Sequence, residues 1–281
     1  MHFSKKRFVV PASLALLASA TLARGARTPI YTSQGFETVG DFSTTGAAVY
    51  GDSDPADLYG QGDPYWAPDT LPPSYGGNGV AADVETSNVS TGLQAVSLTR
   101  LTSSVDTRWA PSTFTSNPYN PVQAGAPIVY VDWDMNVATG GANDLFGIEL
   151  NDNTSRIAYV AVDPTGKIDD DHGGAFTYTN TSVPTNTWEH YELAANFATQ
   201  TYQVFLNGSL TPLEPAVAFE DPANAFTDAS LVSYSANGGA GSGVAYYDNY
   251  VISVPEPAAC GSVLAGSGLL LLRRRRDSST V

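Results

Sequence analysis

The chain has 281 residues, 42% hydrophobic and 11% aromatic, with 26 glycines and 18 prolines; that is enough apolar material for a large core and too much for a disordered chain. Its 13 basic and 28 acidic residues give a net charge of −15, and between Thr28 and Val254 the only cations are Arg100, Arg108, Arg156 and Lys167. With Glu256 and Asp277 set aside, 26 acidic residues fall in that span, so the body carries −22, which repels phosphate backbones and excludes nucleic-acid binding. The lone cysteine, Cys260, excludes an intrachain disulfide framework and a cysteine-based zinc site.

Residues 1–23 have the three parts of a secretory signal: the basic Lys5-Lys6-Arg7, an apolar run from Phe8 to Leu17, and the small-residue site Ala18-Ser19-Ala20, with a second acceptable cut after Ala23. The stretch from Thr28 to Gly92 is rich in Gly, Asp, Pro and Tyr, which predicts long irregular surface loops carried by the same domain as the rest of 28–254. Between Thr28 and Val254 no window keeps a 3.6-residue apolar period for three turns, whereas period two recurs. The clearest case is Val129 to Val137, where Val129, Val131, Trp133, Met135 and Val137 share a buried face and Tyr130, Asp132, Asp134 and Asn136 a wet one. Further strands are expected at Leu93–Leu101, Leu145–Leu150, Ile157–Val162, Phe176–Thr179, Trp188–Phe197, Thr201–Leu206, Leu231–Ser235 and Val244–Val254. Asn207-Gly208 supplies two left-handed residues for a tight hairpin from Tyr202–Leu206 to Leu210. Many short strands without a helix-length pattern predict one antiparallel sandwich.

The tail begins at Val254-Pro255-Glu256-Pro257. Ala258 to Leu272 is an uncharged span of 15 residues ending at Arg273, Arg274, Arg275 and Arg276. At about 1.5 Å per residue a helix of that length reaches about 22 Å, a marginal crossing of a ~30 Å hydrocarbon core. The arginines hold its end on the cytoplasmic side, so the body lies outside, in agreement with the signal peptide. The order of motif, apolar span and basic cluster over residues 254–281 resembles the PEP-CTERM sorting signal of exported proteins from exopolysaccharide-producing bacteria. That resemblance implies an exosortase as partner, with Pro255, Glu256 and Pro257 as the recognition element and Arg273 to Arg276 as the retention signal. It also implies export and transient anchoring in the inner membrane on the way to the outer surface or matrix.

Hard oxygen ligands make Ca²⁺ the cofactor best matched to an exported acidic sandwich. The candidate ligands are Asp52, Asp54, Asp57 and Asp63, and the run Asp169, Asp170 and Asp171 before His172. Sugar binding calls for exposed aromatic platforms, and Tyr65, Trp66, Tyr75 and Trp109 lie in loop-like sequence, whereas Trp133 and Trp188 read as core.

The body resembles the concanavalin A-like lectin/glucanase superfamily in its LamG-like form. The matching pieces are Gly35-Phe36-Glu37, Leu93-Gln94-Ala95-Val96-Ser97-Leu98, Trp188-Glu189-His190-Tyr191-Glu192-Leu193 leading through Tyr202-Gln203-Val204-Phe205-Leu206 to Asn207-Gly208, and Tyr246-Tyr247-Asp248-Asn249. The expected fold is therefore all-β, a single antiparallel jelly-roll sandwich between an N-terminal signal helix and a C-terminal membrane helix. Members bind or cleave glycans or serve as structural modules. The catalytic pattern of that superfamily, Glu-x-Asp-x-x-Glu on one strand, is absent, and the nearest substitute is Asp132 and Asp134 with Glu149 on the next strand. Neither His172 nor His190 lies in a nucleophile-elbow motif. The expectation is a non-catalytic surface or matrix protein that associates with glycan or exopolysaccharide or builds the envelope. The alternatives are a divergent glycoside hydrolase or lyase, recognisable if Asp132, Asp134 and Glu149 converge in a groove, and an adhesin for a protein partner.

Overall fold

The computed structural model describes residues 25–256, apart from 39–41, 46–55, 70, 72–78, 101–104, 115–116, 142, 153, 172–175 and 237–240. The signal peptide, Asp52, Asp54, Tyr75, His172, Pro257, Cys260 and Arg273 to Arg276 fall outside the described residues. The strands in chain order are β1 (Arg27–Thr32), β2 (Trp66–Pro68), β3 (Ala81–Glu85), β4 (Ala95–Thr99), β5 (Thr107–Pro111), β6 (Ile128–Thr139), β7 (Asp144–Asn151), β8 (Arg156–Val162), β9 (Lys167–Asp171), β10 (Phe176–Ser182), β11 (Glu189–Asn196), β12 (Thr201–Leu206), β13 (Val217–Ala218), β14 (Asp228–Ser235) and β15 (Val244–Pro255).

Among the described residues these form two sheets. One has the order β13-β12-β11-β6-β15-β4-β3 with β1 added beside β15, and the other β10-β9-β8-β7-β14-β5-β2. All pairings are antiparallel. The alternation in the sequence decides what each strand faces. Val129, Val131, Trp133 and Met135 of β6 meet Phe146, Ile148 and Leu150 of β7, Val160 of β8 and Leu231 of β14 in one core spanning both sheets. Each large apolar side chain buried there contributes about 1.5–3 kcal/mol. At one end the core is aromatic, with Trp66 5.3 Å from Tyr250 and 5.6 Å from Phe36 between ring centres.

The strands expected from Leu93 onward are present, with ends displaced by at most three residues. The loop reading of Thr28 to Gly92 is corrected, because β1, β2 and β3 lie within it. β2 is three residues long and ends in Pro68, and β3 holds Asp83 and Glu85, so neither has strong intrinsic strand character. Asn207 and Gly208 do take left-handed φ values of 50° and 72°, and the Ser209 N–H donates to the Leu206 carbonyl at 2.9 Å. No strand begins at Leu210, which is exposed. The wet face assigned to β6 is also corrected: Tyr130, Asp134 and Asn136 are buried. The Arg27 guanidinium lies 3.5 Å from the centre of the Tyr130 ring, and loop and strand neighbours close over Asp134.

β1 ties the two ends of the sandwich together. Arg27 pairs with Pro255, and the Glu256 N–H donates to the Ala26 carbonyl at 3.1 Å. Among the described residues no helix is long and apolar enough to cross a membrane.

Candidate functional site

Asp132, Asp134 and Glu149 do not converge. Asp132 and Asp134 lie on the outer face of the first sheet, whereas Glu149, between the inward-facing Ile148 and Leu150, lies on the outer face of the second. The two faces are separated by the core, so these three carboxylates cannot act on one bond.

On the first face, Asp134 and His190 are direct cross-strand partners. The His190 Nδ1 is 2.7 Å from Asp134 Oδ1, and its Nε2 is 3.7 Å from Asp132 Oδ1. Hydrogen bonding to Asp132 and Asp134 pushes its pKa up to about 9 despite partial burial, so the ring is an imidazolium at neutral pH. Ser90 Oγ donates to Asp134 Oδ2 at 2.6 Å, as does Asn249 Nδ2 at 2.8 Å. The serine is thus bonded to the acid rather than to a neutral histidine, and this cluster lacks the base that a Ser-His-Asp mechanism needs. Asp248 accepts the Ser90 and Thr91 N–H groups at 3.1 and 3.0 Å, which fastens that loop to β15.

The second face carries a groove of about 450 Å³. Its floor comes from short side chains at facing register positions. Ala67 of β2 opposes Ala110 of β5, Trp109 next to Ala110 opposes Leu231 of β14, and Ser230 next to Leu231 opposes Glu149. Alternation sends Trp66, Trp109 and Leu231 into the core and leaves Ala67, Ala110 and Ser230 outside, where they open a trough. Close approach of β8 also matters: a Cβ at Gly147 would meet the Val160 carbonyl oxygen at 2.0 Å, so glycine is required beside Glu149.

A chain of alternating charges crosses this face. Asp69 Oδ2 is 2.9 Å from Arg108 Nε, and Arg108 Nη1 is 3.0 Å from Glu149 Oε1. Glu149 Oε2 is 3.6 Å from Arg156 Nη1, and Arg156 Nε is 2.5 Å from Glu220 Oε2. Glu149 is buried and also accepts the Tyr234 hydroxyl. Burial and the adjacent Glu149 push the Tyr234 phenol far above its ordinary pKa, so it stays a donor. Burial opposes the charge on Arg108, but hydrogen bonds to Asp69 and Glu149 outweigh it and raise its pKa above the ordinary value.

At the far end of the groove lie Asp152 and Asp228. Asp228 Oδ1 accepts Asn151 Nδ2 at 3.0 Å and Ser230 Oγ at 2.8 Å, and its Oδ2 accepts Thr227 Oγ1 at 3.2 Å. Asp152 Oδ1 accepts the N–H groups of Thr154 and Ser155 at 2.7 and 2.8 Å and the Thr154 hydroxyl at 2.9 Å. Burial works against that charge, and the turn's donors more than offset it, bringing the Asp152 pKa below the usual carboxylate value.

Of the aromatic platforms expected from sequence, Tyr65 lies on the groove wall and is 45% exposed. Trp66 and Trp109 are corrected to core residues, because both are inward members of their strands. The Trp66 indole N–H donates to the Tyr31 hydroxyl at 2.7 Å and that of Trp109 to the Val80 carbonyl at 3.0 Å. Trp188, read as core, is only half-buried and donates to Asn88 Oδ1 at 3.0 Å.

The acidic candidates for a metal that are described differ in setting. Asp57 is buried and accepts the Tyr59 N–H at 2.9 Å, whereas Asp63 is exposed. Asp169, Asp170 and Asp171 belong to β9 rather than to a loop, which corrects the chelating-loop reading. Neighbours on a strand point to opposite faces, so Asp170 goes with Ile168 toward Tyr202 while Asp169 lies near Tyr159 on the other side. Among the described residues no group of three or more His, Cys, Asp or Glu could hold a metal ion. Sequence reading missed Arg108, Arg156, Asp69, Asp152 and Asp228. The available signal was the scarcity of cations in the body, two of which meet here.

No protein-family model matches the chain, and neither does the sequence of any curated protein. Solved structures similar to it include a sialidase, at 13% identity and a TM-score of 0.44 over 61% of this chain and 16% of that one. Another is a Trypanosoma rangeli sialidase, at 11% identity and a TM-score of 0.41 over 62% and 27%. A third is a conserved carbohydrate esterase from the Shiga toxin-encoding bacteriophage phi24B, at 14% identity and a TM-score of 0.45 over 68% and 90%. The chain thus spans less than a third of the sialidases it matches. The names these structures carry are those of enzymes, which stands against the expectation of a non-catalytic chain.

Proposed function

We propose that the protein is a glycan-cleaving β-sandwich of the concanavalin A-like class, acting outside the cell, and that the groove on the outer face of the second sheet takes the sugar chain. The observation that carries this reading is the lining itself: an exposed Tyr65 beside planar hydrogen-bonding groups, namely Asp69 with Arg108 at one end and Asp228 with Asn151 at the other. An aromatic face packs on the apolar side of a pyranose while such groups hold its hydroxyls. Cleavage needs a proton donor and an acceptor. Asp152, whose turn donors favour its anion, and Asp228 are the two carboxylates of the groove that stand outside the Asp69-Arg108-Glu149-Arg156-Glu220 chain, and they form the pair. One carboxylate of the pair gives a proton to the glycosidic oxygen as the bond to the leaving sugar breaks, and the other takes one from the attacking water.

Reducing ends released from a panel of polysaccharides measure the activity. Asp152→Asn and Asp228→Asn each lower turnover about 10²–10⁴-fold. Unchanged turnover in both folded variants refutes the assignment.

The reading of the ends is part of the same proposal. The basic-apolar-small start and the Pro255-Glu256-Pro257 tail support export and processing by an exosortase, with the sandwich left at the surface or in the matrix. Mass spectrometry of the extracellular protein tests it. A start at residue 21 or 24 and an end near Pro257 are expected, and an intact chain in the cytosol refutes it.

A further inference from the structure

Resting on the glycan reading of the groove, we infer that its ligand is an uncharged sugar chain and that Asp69 is the residue that excludes carboxylated ones. A cation is the group that recognises a sugar carboxylate. Of the four Lys and Arg side chains between Thr28 and Val254, only Arg108 and Arg156 line the groove. Arg100 is fully buried, bonded to the Ser233 carbonyl at 3.0 Å and to Asp106 at 3.2 Å. Both groove cations are already neutralised. Arg156 lies between Glu149 and Glu220, and Arg108 between Glu149 and Asp69.

The exposed partner is Asp69, and it is fixed from both sides. Its Oδ1 accepts the Arg108 N–H at 2.9 Å, its Oδ2 the Nε at 2.9 Å, and its own N–H donates to the Arg108 carbonyl at 3.0 Å. A sugar carboxylate would have to displace this carboxylate while facing Asp152 on a body of charge −22. Hydroxyl groups meet no such opposition, because Asp228 accepts and Asn151 and Arg108 donate without any change of charge.

Affinity electrophoresis of the full chain in gels containing laminarin, a neutral glucan, or alginate, a carboxylated one, tests this. The wild type is retarded by laminarin equally at about 0.05 and about 0.5 M NaCl and is not retarded by alginate, since only charge-driven binding is screened. Asp69→Asn gains affinity for alginate by about tenfold, lost again at high salt, whereas Asp69→Glu gains none. Wild-type retention on alginate that salt abolishes overturns the inference, as does a folded Asp69→Asn without the gain. Should that variant fail to fold, the wild-type salt series decides alone. If the wild type ignores laminarin and every other neutral glycan while Asp69→Asn still gains alginate, the glycan reading of the native groove falls and the exclusion by Asp69 stands.

Discussion

The His190 cluster makes a prediction whose sign and size both follow from its surroundings. Its imidazolium is held by Asp132 and Asp134, and its pKa rises from 6.5 to about 9. A group whose pKa is raised on folding stabilises the folded state fully below the unfolded value and loses that contribution as pH rises through the folded one. The window here runs from about pH 6.5 to about 9. Taken at face value the shift amounts to about 3 kcal/mol. The side chain is 42% exposed, however, and solvent screening reduces this to about 1 kcal/mol. Urea unfolding of the wild type and of His190→Gln measures it. Glutamine keeps the strand and the His190 backbone N–H that donates to Asn207 Oδ1 at 2.9 Å, and removes the imidazolium with its contacts to Asp132 and Asp134. The wild type is expected to exceed the variant by about 1 kcal/mol at pH 6 and to converge on it by pH 10. A gap that stays constant or widens across that range refutes the reasoning.

Asp248 has the opposite character for a carboxylate: burial, aided by Asp134 and opposed by backbone donors, pushes its pKa up to about 6 from 3.8. Its contribution is present below pH 3.8 and is lost as pH rises to about 6, so Asp248→Asn should gain stability relative to the wild type between those limits; a flat difference in thermal unfolding counts against it. Glu149→Ala leaves two guanidiniums without their shared buried partner and is expected to cost about 3–5 kcal/mol in chemical unfolding. A loss below 1 kcal/mol would mean that Glu149 does not hold them. Trp66→Ala should destabilise by about 3–5 kcal/mol as a core deletion, while Tyr65→Ala should leave stability within about 0.5 kcal/mol and weaken glycan retention. Comparing melting temperature with gel mobility for the two variants separates the roles.

Strands whose outer neighbours are ordinary polar residues announced themselves by alternation, and Val129–Val137 is the model case. β9 did not, because Lys167-Ile168-Asp169-Asp170-Asp171 has the composition of a solvated turn; it is a strand since β8 and β10 supply backbone partners on both sides. β2 was hidden by its length and its proline, and with it the inward direction of Trp66. An aromatic in a glycine- and proline-rich stretch reads as exposed until the strand beside it is known. The groove was illegible for a related reason: Asp69, Arg108, Glu149, Arg156 and Glu220 are far apart in the chain, and nothing in their local spacing links them.

The sequence by itself determined the all-β class, most strand positions and the acidity of the body, since period-two burial and net charge are local or additive properties. Tertiary structure alone decided which carboxylates share a face. It set Asp132 and Asp134 on one side of the core and Glu149 on the other, and it gathered Arg108 and Arg156 around that single buried acid. Strand order and register are fixed by long-range pairing, and a side chain's chemistry depends on the neighbours that such pairing brings to it.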